Sequence, residues 1–262
     1  MRNPNKRNLD LKKIYDKAFL KGEEKHFTRK DEPQDDPEFI EVLKEARWKN
    51  KKILDVGCGT GRLLYLASKK GAKCFGIDYS KEAIRIAKTK YKNSNLSFQE
   101  LDINKKFSGK YDVIISVGTL EHQDAPLSTL KLFKKHLNQN GKIIITCPNW
   151  TNPRGYILMT LYHLFKAPIT LADLHYLTPK DFEKWAKILK MNLKWRTFDR
   201  SWGHGEVMIN DLTKRLPNVL NDGKLPCDKQ NIHNLILWLN DKALPLDNNT
   251  VVSGASAIYV FS

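Results

Sequence analysis

The chain has 262 residues, of which 41% are hydrophobic, so it is long enough for one large domain with a cap and ordinary enough in composition to fold. Its 45 lysines and arginines exceed its 29 acids, but the +16 charge is scattered in pairs and favours solvated helix faces over a dedicated nucleic-acid surface. Four cysteines without a CxxC pair exclude a disulfide framework, and no run approaches the roughly 18 apolar residues of a membrane span, so we expect a soluble cytoplasmic protein.

The first 36 residues predict a helical lid. Apolar residues recur at helical spacing as far as Phe27, and the acidic, proline-bearing run of residues 31–37 then separates this segment from the main body. A helix tethered in this way can close over a bound ligand. A surface helix without a binding role is the alternative.

Residues 37–202 alternate strands and helices, which is typical of a doubly wound, mostly parallel sheet. A helix is predicted from Pro37 to about Trp48, and later helices are predicted after Ser80, over 127–137 and after Thr178. The predicted strands begin with the apolar run at residue 53 and continue at 73–78, 96–102, 111–118, 142–147 and from about residue 195. A terminal strand within 250–262 would complete a seven-stranded sheet.

Residues 203–249 predict a small inserted helical cap. Helices are expected near 206–216 and 230–240, between the sixth strand and the terminal one. The resulting organisation is a lid at 1–36, a ligand-binding domain at 37–202, the cap at 203–249 and a last strand at 250–262.

A glycine turn with glycines at positions 57, 59 and 61 follows the first strand. Alternating glycines let a backbone turn sharply and approach a ligand closely. Asp55 lies just before the turn and Asp78 ends the second strand, a pair that fits a ligand with an ammonium and a ribose. A dinucleotide is the rival ligand, but its GxGxxG pattern needs the third glycine at position 62, which is Arg.

The ordered segments DVGCGTG, CFGID, ELDI, YDVIISVGTLEH and LNQNGKIIITCPN resemble the class I S-adenosylmethionine-dependent methyltransferases over about residues 40–200. The resemblance implies a Rossmann-like methyltransferase fold and S-adenosyl-L-methionine as the cofactor. The resemblance does not extend to the segment 203–249.

The resemblance also assigns cofactor contacts. Asp55 would face the ammonium, Gly57 and Gly59 would admit the methionine part, and Asp78 would accept both ribose hydroxyls. Asp102 would receive the adenine amino group. The adenine ring would lie between Tyr79 and Ile103, and the remaining expected contacts are Cys58, Gly61 and Val117.

Two histidines are candidates for a catalytic base. His122 follows the fourth strand and His175 precedes the helix that borders the acceptor site in relatives; an imidazole suits the removal of a hydroxyl proton. A hydrogen-bonded structural role is the alternative for both. The other histidines lack ligand spacing, so no metal is expected.

We therefore predict an S-adenosylmethionine-dependent enzyme that methylates oxygen on a small molecule such as a sugar, a quinone-like compound or a lipid-linked precursor. RNA or protein methylation, suggested by the charge, is the first alternative, and a non-catalytic binding module is the second. Eight of the ten residues at 156–165 are apolar, which predicts that this segment lines the acceptor pocket or makes a peripheral membrane contact. Packing in the core is the alternative. No stable protein partner is indicated.

Overall fold

A computed structural model describes residues 36–103, 108–170, 173–246 and 250–262. The predicted lid lies outside these residues except for Asp36, so it stays a prediction. Within the described residues, no helix is both long and apolar enough to cross a membrane.

Seven strands form one sheet in the order β3-β2-β1-β4-β5-β7-β6. Neighbouring strands from β3 through to β5 pair in parallel, whereas β7 runs antiparallel to both β5 and β6. The strands are β1 Lys52–Val56, β2 Lys73–Asp78, β3 Leu96–Glu100, β4 Tyr111–Val117, β5 Leu137–Pro148, β6 Leu193–Phe198 and β7 Ser256–Phe261. The predicted doubly wound, mostly parallel sheet is confirmed.

Helices cover both faces of this sheet. Those packed on the two faces are α1 Pro37–Leu43, α2 Arg62–Lys69, α3 Lys81–Lys90, α4 Pro126–Lys135 and α6 Pro179–Leu189. One core cluster joins Val42, Leu64 and Ile84 to the sheet, and the other joins Phe133 and Phe182 to its opposite face. The long apolar runs of the inner strands follow from this double burial, because neither face meets water.

A third apolar cluster is separate from the two clusters on the faces of the sheet. It joins Leu158 and Tyr162 to Met208, Leu212 and Ile232. Its helices are α5 Pro153–Phe165, α8 Glu206–Asp222 and α9 Lys229–Trp238, while the short α7 spans Arg200–Gly203. The limits predicted for an inserted cap, 203–249, stay a prediction, although this separate core is what such a unit needs.

Several element bounds differ from the sequence prediction. Helix α1 ends at Leu43 rather than near Trp48, because the indole of Trp48 turns back and donates to the Leu43 carbonyl at 2.8 Å. Strand β3 ends at Glu100, before Asp102. Strand β5 begins at Leu137 and includes the predicted turn at Asn140.

Helix α8 also exceeds its predicted end near residue 216. It continues through Pro217 to Asp222, although an internal proline removes one backbone hydrogen bond. Leu216 and Val219 are both buried in the third cluster, so apolar packing on either side of the proline offsets the loss.

Candidate functional site

The glycine turn has the left-handed geometry that its sequence predicted. Gly57, Gly59 and Gly61 have φ angles of 77°, 50° and 83°. The amides of Gly57 and Cys58 both donate to the Ile77 carbonyl, at 2.8 and 3.1 Å, which fixes the turn against the end of β2. Because these two amides already donate to Ile77, they are not available as donors to a ligand. The turn contributes open space instead.

The space lies at Gly59. A Cβ atom added there would meet nothing within 4 Å, whereas one added at Gly57 would lie 2.3 Å from the Thr119 hydroxyl oxygen. The Thr119 hydroxyl is itself held by the Val117 carbonyl at 2.9 Å. Gly57 therefore permits the turn to pack against the segment after β4, and Gly59 leaves room for a ligand.

This contrast predicts different outcomes for two alanine variants. Both variants should lose the roughly 1–2 kcal/mol of a left-handed alanine, and Gly57→Ala should lose more because its Cβ collides with Thr119. Because Gly59→Ala fills the ligand space, we expect it to weaken S-adenosylmethionine binding at least about tenfold. Thermal melts and calorimetric titration measure the two effects, and equal stability losses would contradict the assignment.

Asp78 has its carboxylate fixed by two backbone amides at the end of β2. Oδ2 accepts from the Gly59 amide at 2.9 Å and Oδ1 accepts from the Ser80 amide at 2.8 Å. The group is therefore held in one orientation, as a carboxylate that binds a ribose requires.

Asp55 is a buried acid whose Oδ1 has no hydrogen-bond partner among the described residues. Burial, and then the nearby charge of Asp78, raises the pKa of Asp55 from 3.8 to about 8. A buried carboxylate without a partner lowers the free energy of unfolding unless a cation pairs with it. It therefore fits the ammonium of a ligand bound at the turn.

The raised pKa of Asp55 makes its effect on stability depend on pH. The folded-state pKa is raised, so Asp55 costs no stability below pH 3.8, and the cost grows as the pH rises to about 8. Asp55→Asn should therefore melt at least about 4 °C above the wild type at pH 8 without ligand, a gap that closes toward pH 4. The same variant should bind S-adenosylmethionine more weakly, and a melting gap independent of pH would contradict this reading.

The residues expected around the adenine lie near the same edge. Ile103 is buried, while Tyr79 and Asp102 are partly exposed beyond the ends of β2 and β3. Cys58 lies against Gly76 of β2, where an added Cβ would come within 2.8 Å of its sulfur. Val117 ends β4 and is partly exposed.

A cluster of a histidine and two acids follows β4. His122 lies in the short 3-10 turn Leu120–His122, with its Nε2 4.0 Å from a carboxylate oxygen of Glu121 and its Nδ1 3.7 Å from one of Asp173. Glu121 is 2% exposed and Asp173 is 8% exposed. Burial, followed by the charge of Asp173, raises the pKa of Glu121 well above its ordinary value.

His175 reaches the same region through its backbone. The amides of Leu174 and His175 both donate to the Glu121 carbonyl, at 3.1 and 3.0 Å. The structure thus brings together the segments of the two histidines proposed as bases. Sequence reasoning missed Glu121 and Asp173, because a lone acid in a loop has no spacing signal and these two lie far apart along the chain.

The cluster is next to the glycine turn. Thr119, two residues before Glu121, packs on Gly57, and the Ser116 hydroxyl of β4 donates to the Val56 carbonyl at 3.1 Å. A separate hollow of about 330 Å³ lies between α1 and α2, lined by Phe39, Ile40 and Arg62 among others. None of the expected cofactor residues lines this hollow, so we place the ligand site at the turn.

S-adenosyl-L-methionine fits what these residues provide. An orphaned buried carboxylate oxygen at Asp55 suits its ammonium, the oriented Asp78 carboxylate suits its ribose, and the space at Gly59 admits its chain.

Known proteins match this chain by sequence and by fold. The family described as "Methyltransferase domain" matches residues 48–233. A ubiquinone biosynthesis O-methyltransferase of Nitrosococcus oceani is 29% identical over 155 residues, which are 56% of this chain and 65% of that protein. The match thus covers slightly less than two thirds of that relative.

Two solved structures share the fold. One is a chain from the complex between the Haloferax volcanii Trm112 methyltransferase activator and a methyltransferase, with a TM-score of 0.61, 14% identity and coverage of 94% of this chain and 96% of that one. The other is a SAM-dependent methyltransferase of Archaeoglobus fulgidus, with a TM-score of 0.56, 16% identity and coverage of 85% and 90%. The family match spans most of the chain. Together with the sheet order and the glycine turn, it shows that the protein belongs to the class I S-adenosylmethionine-dependent methyltransferases.

Proposed function

We propose that the protein transfers a methyl group from S-adenosyl-L-methionine to an oxygen atom of a small-molecule acceptor. The observation that carries the oxygen assignment is the cluster of His122 with Glu121 and Asp173 beside the glycine turn. A hydroxyl acceptor must lose a proton, and a histidine with adjacent carboxylates is suited to that task. The name of the Nitrosococcus oceani relative supports the same acceptor class.

The methyl donor is held by the residues of the turn and the neighbouring strand ends. Asp55 would face the ammonium, Asp78 would accept the ribose hydroxyls, and Gly57 and Gly59 would admit the methionine part. Asp102, Tyr79 and Ile103 would hold the adenine, and Cys58, Gly61 and Val117 would complete the binding site. When bound, the donor supplies a methyl carbon activated by its sulfonium.

The chain's main catalytic contribution is to hold the two reactants in line. Orientation of this kind can contribute on the order of 7–11 kcal/mol to lowering a barrier. His122 activates the acceptor hydroxyl, and His175, whose backbone is fixed to Glu121, lines the acceptor side. Few side chains of the proposed site therefore take part in the chemistry, and most of them position the two reactants.

Transfer of labelled methyl groups into a fractionated lysate tests the proposal. We expect label in small organic molecules, with none in the RNA or protein fractions. Label in RNA or protein would replace the small-molecule acceptor with the first alternative. S-adenosylmethionine binding without any transfer would favour a non-catalytic module.

Helix α5 supports delivery of the acceptor from a membrane surface. Tyr156, Leu164 and Phe165 are 58%, 69% and 52% exposed, and they fall within the segment 156–165 that the sequence singled out. An exposed apolar group of this kind often marks an interaction site.

We expect the wild type to float with anionic liposomes at low salt, and Leu164→Glu with Phe165→Glu to reduce the floating fraction about tenfold. Ile188→Glu is the matched control, because Ile188 is also exposed but lies on α6. Failure of the wild type to float would remove membrane delivery and leave the methyltransferase proposal intact.

A further inference from the structure

The cluster after β4 gathers three groups that each offer a metal-ligating atom. One donor atom from each of Glu121, His122 and Asp173 lies within 4.8 Å of those of the other two. Two of the three residues are buried and the third is partly buried, so this is not an accidental meeting of exposed acids. Sequence spacing did not predict it, because Asp173 comes from a segment after α5.

The separations within the cluster bring one donor atom of each residue near a common point. The donor atoms lie within 4.8 Å of one another. The two pairs that His122 makes use different ring nitrogens, Nδ1 toward Asp173 at 3.7 Å and Nε2 toward Glu121 at 4.0 Å, so one of these nitrogens would face the ion. Ligands about 2.0–2.2 Å from one small divalent ion lie roughly 3–3.5 Å from each other, so side-chain movements on the order of 1 Å would bring the three groups into that range.

Other acidic groups act on Glu121 within the cluster. The carboxyl groups acting on Glu121 are those of Asp173 and Glu38, and the thiol of Cys147 lies 3.4 Å from Glu121 Oε2. The charge of Arg154 also acts on Asp173, and its Nε is bonded at 2.7 Å to Asp211, which also pairs with Arg215. Buried acids gathered in this way are stabilised by a cation.

We propose that Glu121, His122 and Asp173 bind a divalent cation beside the methyl-donor site. Two carboxylates and an imidazole leave open positions for water or for an acceptor oxygen. The identity of the ion in the cell is set by ligand type and supply, so Mn²⁺ serves as the probe.

The cation gives the cluster a specific role in the proposed transfer, and this part rests on the proposed function. With the cation bound, His122 acts as its ligand instead of as the base, and a hydroxyl bound to the cation would become more acidic and release its proton to water. The acceptor oxygen then forms a bond to the methyl carbon, and the carbon–sulfur bond breaks with its electron pair left on sulfur. The products are the methyl ether, the neutral thioether and one proton.

Mn²⁺ binding to the full chain, freed of metal with EDTA and then dialysed, tests the proposal by electron paramagnetic resonance of the free ion. We expect one site per chain, with affinity lowered at least about tenfold in Asp173→Asn and in Glu121→Gln. Asp124→Asn is the matched control, because Asp124 is an exposed acid on the same loop and should leave affinity unchanged. Melting temperatures with and without Mn²⁺ separate lost binding from lost folding: only the wild type and Asp124→Asn should gain stability.

The cation site would be overturned if no Mn²⁺ bound below about 1 mM, which is on the order of the weakest specific sites. Equal losses of Mn²⁺ affinity in Asp124→Asn and Asp173→Asn would overturn it as well. Methyl transfer that continues at full rate in EDTA would overturn its catalytic role. Failure of the proposed function is distinguishable, because it appears as absent S-adenosylmethionine binding or transfer while Mn²⁺ still binds.

Discussion

Replacing Asp78 with asparagine is expected to weaken S-adenosylmethionine binding at least about a hundredfold. The carboxylate is fixed by the amides of Gly59 and Ser80, and in the proposed site it binds the ribose hydroxyls. Hydrogen bonds to a charged group contribute about 1.5–3 kcal/mol each, and 1.4 kcal/mol is a factor of ten in affinity. Isothermal titration with the wild type and the variant measures the difference.

Asparagine is chosen because it keeps one side-chain oxygen to accept from the turn. A melting temperature close to that of the wild type would show that the turn has survived. Glu100→Gln is the matched control: Glu100 pairs in register with Asp78 on the next strand but is exposed, so its loss should leave the affinity within about twofold. Equal losses in the two variants would contradict a specific ribose contact.

Replacing His122 with alanine is expected to lower kcat by about 10²–10⁴-fold, the usual contribution of a group that moves or promotes removal of a proton. His122 lies between two carboxylates and next to the turn, so its removal leaves the methyl donor's contacts in place. The affinity for S-adenosylmethionine should therefore change less than threefold. Single-turnover rates and calorimetric titration separate the two quantities.

His233→Ala serves as the control for this experiment. His233 is an exposed histidine on α9, and its replacement should leave both the rate and the affinity unchanged. His175→Ala should lower kcat less than His122→Ala does, since His175 joins the cluster through its backbone amide. A larger loss in His175→Ala would move the catalytic assignment to that residue.

The cofactor side of the site was readable from the sequence because its signals are local. Glycine at 57, 59 and 61 follows from a turn that needs positive φ at those positions, and Asp78 is recognisable as the last residue of an apolar strand. The doubly wound fold likewise follows from alternating periods that each segment carries by itself, whereas the strand order came from the structure. Helix ends were less readable, since Trp48 ends α1 through a contact five residues back and Pro217 is tolerated only through its buried neighbours.

The sequence by itself determined the parts of the proposed methyl-donor site: the turn, the acids at 55 and 78, and the sheet that places them at one edge. Tertiary structure alone brought Asp173 to His122, buried Glu121 between them and Cys147, and left the Asp55 carboxylate without a partner. The physical reason is that backbone conformation depends on near neighbours, whereas burial, charge and ligand geometry depend on which distant segments pack together. The acceptor chemistry belongs to that second kind, and so the cation site at Glu121, His122 and Asp173 became visible only in the folded chain.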